Sequence, residues 1–281
     1  MRREKITDSR AVQPENGSRN LAQLQKMPPV QVAAADLKPF GDTWTAQGNK
    51  LPRGGDTSSS KLGEVFDKKV GQALAHMLGG AEIVVPKGTA LHPSKPDCVE
   101  IGPCRIVGGI RPQNFDVGYR PDGPRFAFDS KTLNDDKSIR KNYQNMINDL
   151  ATEATTVHTR FPYAVVAFMV VLPTPCLAPR QKDALTRTLE RLSERSSPID
   201  QVHKAEAIAL VLWDPATGEI DPNWPSEDSP LRLEKFSEQV ERAYVDRFKG
   251  LPPHGADEDG TAGEDDSAEG NAGAEDPSEH T

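Results

Sequence analysis

Residues 114–131, NFDVGYRPDGPRFAFDSK, decide the fold of this 281-residue chain. They contain two runs in which apolar and polar residues alternate, and the Pro-Asp-Gly-Pro sequence between the runs is typical of a tight turn. The pattern therefore predicts a β-hairpin. If the turn is centred on Asp122 and Gly123, residues whose numbers sum to about 245 lie opposite each other, as Gly118 and Ala127 do.

This register divides the hairpin into an apolar face and a polar face. The residues expected to enter the core are Phe115, Val117, Tyr119, Phe126, Phe128 and Ser130. The polar face places Asp116 opposite Asp129, with about 5 Å between their Cβ atoms, and Lys131 follows two residues later. Like charges that face each other destabilise a sheet, and a divalent cation such as Mg²⁺, which takes carboxylate ligands, would compensate them. A solvated edge face of mixed charge is the alternative interpretation.

Helices and strands are predicted on both sides of the hairpin. Apolar residues at helical spacing indicate amphipathic helices, and two continuous apolar runs fit central strands that are covered on both faces. A polar-surfaced helix lies between those two strands and completes a parallel β-α-β unit. The predicted fold class is α/β, a three-layer α/β sandwich with a central mixed β-sheet. The helices are expected at residues 60–78, 135–160, 179–196 and 233–248, and the two central strands at residues 163–173 and 204–214.

The formal net charge of −8 is unevenly distributed along the chain. Residues 251–281 contain ten Asp and Glu and no Lys or Arg, so residues 1–250 hold 34 basic and 32 acidic side chains. The acidic total therefore does not exclude a nucleic-acid partner. Composition predicts a loosely ordered N-terminal arm over residues 1–58, a folded domain over residues 59–250 and a disordered acidic tail over residues 251–281.

Cysteine content and hydropathy indicate a cytoplasmic protein. The three cysteines, Cys98, Cys104 and Cys176, do not form a disulfide framework, which favours a reducing compartment. The longest apolar run has ten residues, too few to span a bilayer. The polar start MRREKITDSR has no apolar signal-peptide core. We therefore expect no membrane partner.

The hairpin residues resemble the PD-(D/E)xK nuclease superfamily, which includes type II restriction endonucleases and DNA repair nucleases. Asp116 matches the first acid, with Phe115 where proline often stands, and Asp129-Ser130-Lys131 matches the DxK motif. The resemblance extends to the order of elements over roughly residues 60–250. It implies that Asp116, Asp129 and the backbone carbonyl of Ser130 bind Mg²⁺, and that Lys131 assists the attacking water.

The resemblance also points to residues outside the hairpin. The helix before the sheet often supplies a further acid; Glu64 matches that position, and Asp67 one turn later is the alternative. Asp97 is a rival for the first acid because it follows a proline. The helix after the DxK strand is expected to contact DNA through phosphates and base edges. The residues predicted to bind DNA are Arg120, Arg125, Lys137, Arg140, Lys141 and Gln144.

These residues together predict a Mg²⁺-dependent endonuclease of the type II restriction kind. Its expected partner is double-stranded DNA, and a homodimer would cut both strands of a two-fold site. A DNA repair, recombination or phage nuclease on the same core is one alternative. The other is a non-catalytic DNA- or protein-binding module with an acidic tail. The sequence contains no G-x-S-x-G motif, P-loop or Rossmann fingerprint.

Overall fold

The structure, a computed structural model, describes residues 23–88 and 90–255, without the side chains of Ser138, Arg140 and Lys141. Within these residues the chain forms a mixed α/β fold of six strands and five α-helices. The helices are α1 (Ala34–Ala46), α2 (Ser59–Met77), α3 (Asp136–His158), α4 (Pro179–Leu192) and α5 (Leu233–Phe248). The strands are β1 (Glu82–Val84), β2 (Cys98–Val107), β3 (Pro112–Tyr119), β4 (Phe126–Thr132), β5 (Val165–Pro173) and β6 (Ala207–Trp213).

All six strands form one mixed sheet in the order β1-β2-β3-β4-β5-β6. β2, β3 and β4 are antiparallel neighbours, whereas β1 runs parallel to β2. β4, β5 and β6 run parallel to one another, so β5, α4 and β6 form the predicted parallel unit. Every residue of β5 and β6 is buried, as their continuous apolar sequences predict.

The hairpin register is the one that the sequence predicts. The pairs of β3 and β4 are Val117 with Phe128, Gly118 with Ala127 and Tyr119 with Phe126. The turn closes where the Arg125 N–H donates a 2.9 Å hydrogen bond to the Tyr119 carbonyl. Gly123 within it has φ 129°, a conformation that glycine adopts without a steric penalty. The four turn residues 121–124 thus determine which side chains of the two strands face each other.

Helices α2 and α5 pack on the sheet through their apolar stripes. α2 lies across β2, β3 and β4, and its buried residues include Leu62, Phe66 and Val70. α5 contacts β5 and β6, and its Phe236 meets Phe128 edge to face, with ring centroids 5.9 Å apart. Among the described residues, no helix has the length and apolarity needed to cross a bilayer.

Residues 23–58 correct the expectation of a loosely ordered N-terminal arm. Helix α1 buries Leu37, Phe40 and Trp44. The Trp44 indole Nε1 donates a 2.9 Å hydrogen bond to the Asn134 carbonyl and so ties α1 to the start of α3. Because Pro39 lies inside α1 and proline disfavours a helix interior, the sequence pattern did not predict this helix. Residues 1–22 of the predicted arm lie outside the described residues.

The predicted acidic tail begins later than expected. Residues 251–255 pack on the folded domain. His254 is buried, and its Nε2 lies 2.8 Å from the Tyr244 hydroxyl. The Pro252 carbonyl accepts a 2.5 Å hydrogen bond from the Arg125 guanidinium. The remainder of the predicted tail, residues 256–281, lies outside the described residues.

Candidate active site

β3 and β4 separate at the end of the hairpin that lies away from the turn. Their pairing stops at Val117 and Phe128. Beyond that pair, β3 continues beside β2 and β4 continues beside β5. The strands therefore form a V-shaped opening with Asp116 and Asp129 at its vertex. The sequence pattern predicts these aspartates within a regular ladder, whereas they stand one position past its last pair.

The two aspartates of the opening are in contact. Their carboxyls share a hydrogen bond. Asp116 Oδ2 also accepts hydrogen bonds from the Ser130 N–H at 3.0 Å and from the Ser130 hydroxyl at 3.3 Å. Asp97, the alternative first acid, lies elsewhere, since its Oδ1 accepts a 2.7 Å hydrogen bond from the Tyr119 hydroxyl. The structure thus brings together Asp116, Asp129 and Ser130.

A third carboxyl reaches the opening from α2, and it belongs to Asp67 rather than to Glu64. Asp67 is 6% exposed and forms a hydrogen bond with Ser130. The negative charge of Asp116 is close enough to repel that of Asp67. The Glu64 side chain is 40% exposed and forms an ion pair with the lysine three positions earlier. Gly63 permits the close approach of α2, because a Cβ at that position would lie 2.9 Å from Ser130 Oγ.

Burial makes these three carboxyls difficult to ionise, and repulsion by a neighbouring aspartate adds to this effect at Asp116 and Asp67. Burial raises the pKa of Asp129 to about 6. Burial, followed by the neighbouring Asp129 carboxyl, raises the pKa of Asp116 above its ordinary value. Burial, followed by the charge of Asp116, does the same for the pKa of Asp67. Carboxyls perturbed in this way and placed in a cavity are typical of functional sites.

Lys131 is held between two carboxylates on the α3 side of β4. Its Nζ donates hydrogen bonds to Asp129 Oδ2 at 2.5 Å and to Glu153 Oε1 at 2.8 Å. The Gln113 amide donates a 2.9 Å hydrogen bond to the same oxygen of Glu153. Burial lowers the pKa of Lys131, but the charges and hydrogen bonds of the two acids outweigh burial and raise that pKa above its ordinary value. Lys131 is therefore a fixed cation next to Asp129.

Glu153 is not among the site residues predicted from the sequence, although the sequence carries a signal for it. Glu153 shares the apolar stripe of α3 with Leu150, Ala154 and Val157, so helical spacing turns its carboxylate toward the sheet. Glu153 is 3% exposed. A buried carboxylate requires a partner, and Lys131 is that partner. Its second oxygen, Oε2, is buried and has no hydrogen-bond partner within the described part of the chain.

A cavity of about 680 Å³ opens in front of the three aspartates. Its polar lining comes from α2 and from the opening between β3 and β4. The polar lining residues are Ser59, Ser60, Glu64, Asp67, Lys68, Gln72, Asp116, Asp129, Ser130 and Thr132. Its apolar lining comes from β1 and from the irregular part of β2. Lys131 lies behind Asp129 and is not part of this lining.

Arg120 and Arg125, which the sequence analysis assigned to DNA, are instead buried in the fold. Both are 4% exposed. Arg120 donates to the two carboxylate oxygens of Glu100 at 2.7 and 2.9 Å, and also to two backbone carbonyls. Arg125 donates to Asp122 at 2.8 Å and lies over the Phe248 ring, 4.8 Å from its centroid. The DNA-binding prediction is wrong for both residues, because their guanidinium groups are enclosed by partners within the fold.

The DNA-binding prediction stays a prediction for α3. Asp135 is the N-cap of this helix, and its side chain accepts a 3.0 Å hydrogen bond from the Lys137 N–H. The side chains of Lys137 and Gln144 are exposed and so can reach a partner. The side chains of Arg140 and Lys141 lie outside the described part of the structure.

The donor set of the site fits Mg²⁺ only in part. Over residues 23–88 and 90–255, no group of three or more His, Cys, Asp or Glu side chains is arranged to hold a metal ion. The two touching carboxyls of Asp116 and Asp129 nevertheless suit Mg²⁺, which commonly uses one or two carboxylates and takes waters and substrate phosphate oxygens for its other positions. Asp67 Oδ1 is a further acceptor, buried and without a hydrogen-bond partner among the described residues.

The site thus consists of three buried aspartates, of which two are in contact, and a lysine cation fixed beside them. This arrangement can hold a divalent cation and stabilise negative charge that develops on a substrate. No protein-family model, curated protein or solved structure matches this chain.

Proposed function

We propose that this protein is a Mg²⁺-dependent endonuclease that hydrolyses phosphodiester bonds in double-stranded DNA. The contact between Asp116 and Asp129 at the opening of the hairpin, next to Lys131, carries the proposal. Ser130 forms a hydrogen bond with Asp67 of α2, and the neighbouring Lys131 donates a hydrogen bond to Glu153 of α3. Helices on opposite sides of β4 support the three-layer sandwich of a restriction-endonuclease-like core.

Each residue of the opening has a distinct role in this proposal. Asp116 and Asp129 would hold Mg²⁺, together with the backbone carbonyl of Ser130. When bound, Mg²⁺ supplies Lewis-acid polarisation of the phosphate and makes a water molecule more acidic. Asp67 adds a third acid to the same cavity and fixes Ser130 through a hydrogen bond.

Lys131 acts in this proposal as a cation rather than as a general base. A base must first lose its proton, and the two acids that raise the pKa of Lys131 oppose that loss. As a cation, Lys131 fixes the carboxylate of Asp129 and offsets negative charge that develops on the phosphate in the transition state. Glu153 positions the ammonium from the side of α3.

A type II restriction endonuclease that acts as a homodimer is the form that we favour. A two-fold enzyme matches a two-fold DNA site and can cut both strands. A repair, recombination or phage nuclease would use the same residues. The cysteines Cys98, Cys104 and Cys176 are all free thiols, which agrees with the proposed cytoplasmic location.

Incubation of the purified protein with plasmid and genomic DNA in the presence of Mg²⁺ tests the proposal. We expect cleavage by the wild type, no cleavage in a chelator, and no cleavage by Asp129→Asn. Asp149→Asn, at an exposed aspartate on α3, is the matched control and should cut like the wild type. Discrete fragments would favour restriction over repair. The proposal fails if the wild type leaves all DNA intact, or if Asp129→Asn cuts DNA and binds Mg²⁺ unchanged.

A further inference from the structure

Part of the cavity in front of the aspartates is lined by exposed aliphatic side chains. Ile83 is 42% exposed and Val85 is 76% exposed. Both line the cavity together with Ile101 and Pro103. These four residues form an aliphatic wall. Exposed apolar side chains that gather beside a polar site mark a contact surface.

The aliphatic wall lies where the edge of the sheet is irregular. β1 has three residues and stands first in the sheet order, with β2 as its neighbour. The pairing of β2 with β3 shifts between Ile101 and Cys104. Gly102, inside this irregularity, has φ 124°. Because bulges beside functional sites redirect side chains, this local backbone accounts for the position of Ile101 and Pro103 in the cavity, whereas Ile83 and Val85 come from β1 and the residue after it.

The charged lining of the cavity restricts where a phosphate can lie. The acids are Glu64, Asp67, Asp116 and Asp129, and the single cation of the lining is Lys68. Carboxylates repel a phosphate unless a cation lies between them, so the favourable position for a phosphate is beside metal held by Asp116 and Asp129. The aliphatic wall offers no charge and no hydrogen-bonding side chain, so it favours the apolar faces of an adjacent group.

The size of the cavity also favours a small group over a protein surface. Its volume of about 680 Å³ lies inside the range of roughly 300–1,000 Å³ that ligand pockets occupy. A nucleotide linked to the scissile phosphate therefore has room in the cavity. A base that stays paired in a duplex is held in the stack, so a base enters a pocket of this kind only after it has left the stack.

We propose that the aliphatic wall receives a nucleobase that has left the base stack next to the scissile phosphate. This inference rests on the proposed nuclease function and adds a preference for double-stranded DNA in which a base at the cleavage point is unpaired. Aliphatic side chains and proline are the types that insert at unstacked base steps. An unpaired or mismatched base also costs less to remove from the stack than a paired base.

Cleavage of two matched substrates provides the first measurement. One is a regular duplex, and the other is the same duplex with a bubble of mismatched bases. We expect the wild type to cut the bubble about tenfold faster, a preference equivalent to about 1.4 kcal/mol. Val85→Asn should lose that preference, with a ratio of rates near one. Ile199→Asn alters an 83% exposed isoleucine outside the cavity lining and should retain the preference.

Fluorescence of 2-aminopurine in the bubble, measured in Ca²⁺, provides a second measurement that does not depend on cleavage. Stacked neighbours quench this base and aliphatic side chains do not, so binding of the wild type should raise the emission and binding of Val85→Asn should not. The inference would be overturned if the wild type and Val85→Asn had the same ratio of cleavage rates on the two substrates and gave the same 2-aminopurine emission. The nuclease proposal would then remain intact.

Two further outcomes separate the remaining possibilities. If no DNA is cut but emission rises with the wild type alone, the wall receives a base and the proposed reaction is wrong. If Val85→Asn changes only the mass of the protein in solution, the wall is a contact between copies of this chain, and the inference is overturned.

Discussion

Replacement of Asp67 by asparagine is expected to stabilise the metal-free protein at high pH. Burial raises the pKa of Asp67 from 3.8 to about 8, so the folded protein retains a proton that the unfolded chain releases. The contribution of Asp67 to stability is therefore fully present below about pH 4 and is lost as the pH rises to about 8. Asp67→Asn removes this pH-dependent loss, because asparagine does not ionise.

The size of the effect follows from the interval between the two pKa values. That interval corresponds to at most about 6 kcal/mol, since each pKa unit is worth about 1.4 kcal/mol. Asparagine stays polar and buried, and its amide brings one more N–H donor than protonated aspartic acid; such a donor left without a partner costs about 1–3 kcal/mol. We therefore expect a net gain of about 3 kcal/mol at pH 8. In a chain of this size, that gain corresponds to a Tm increase of roughly 6–12 °C.

Thermal and urea unfolding between pH 4 and pH 8.5 in a chelator measures this difference. Asp149→Asn is the matched control for stability, because Asp149 is exposed on α3 and is not among the charges that act on Asp67. Its free energy of unfolding should stay within about 0.5 kcal/mol of the wild type at every pH. If the free energies of unfolding of Asp67→Asn and the wild type change in parallel across this pH range, burial does not raise the pKa of Asp67 in the folded protein.

Two further substitutions and a pair of truncations test other parts of the structure. Glu153→Gln should lower the rate of DNA cleavage by about 10–100-fold while Mg²⁺ affinity stays unchanged, because Lys131 loses one of its two anchors; an unchanged rate would exclude a positioning role. Arg120→Met should lower the free energy of unfolding in urea by about 3–5 kcal/mol, since it leaves a buried carboxylate unpaired. A variant as stable as the wild type would contradict the buried ion pair. Deletion of residues 251–281 should lower the free energy of unfolding by about 2–4 kcal/mol, because the hydrogen bonds of residues 251–255 are lost. Deletion of residues 256–281 should leave the free energy of unfolding unchanged and strengthen DNA binding at low salt. Equal stability of the two truncations would contradict the packing of the segment between them.

Local sequence patterns were sufficient for the hairpin and the central strands. The position of the Asp-Gly turn determined the pairing of Gly118 with Ala127, because side chains alternate strictly along a strand. The apolar runs of β5 and β6 indicated strands covered on both faces. Both features depend on residues that are close in sequence.

Features that depend on distant partners could not be predicted in the same way. Arg120 is paired with Glu100 across β2 and β3, and Arg125 is bound by the carbonyl of Pro252, 127 positions later. An arginine that ends in a buried ion pair has the same local sequence as one that contacts a phosphate. The choice of Asp67 over Glu64 also depends on the rotation of α2 against β4, which helical spacing alone does not determine.

The turn at residues 121–124 has a consequence for the chemistry of a site that it does not touch. Insertion of one residue there would shift β4 by one position relative to β3, and each side chain of β4 would then face the other side of the sheet. Phe128 would take the place of Asp129 beside Asp116, and Ser130 would take the place of Lys131 beside Glu153 in α3. The composition of the chain would be almost unchanged, yet the acid pair would no longer exist. The number of residues in a remote loop is therefore as much a determinant of the candidate site as the identity of either aspartate.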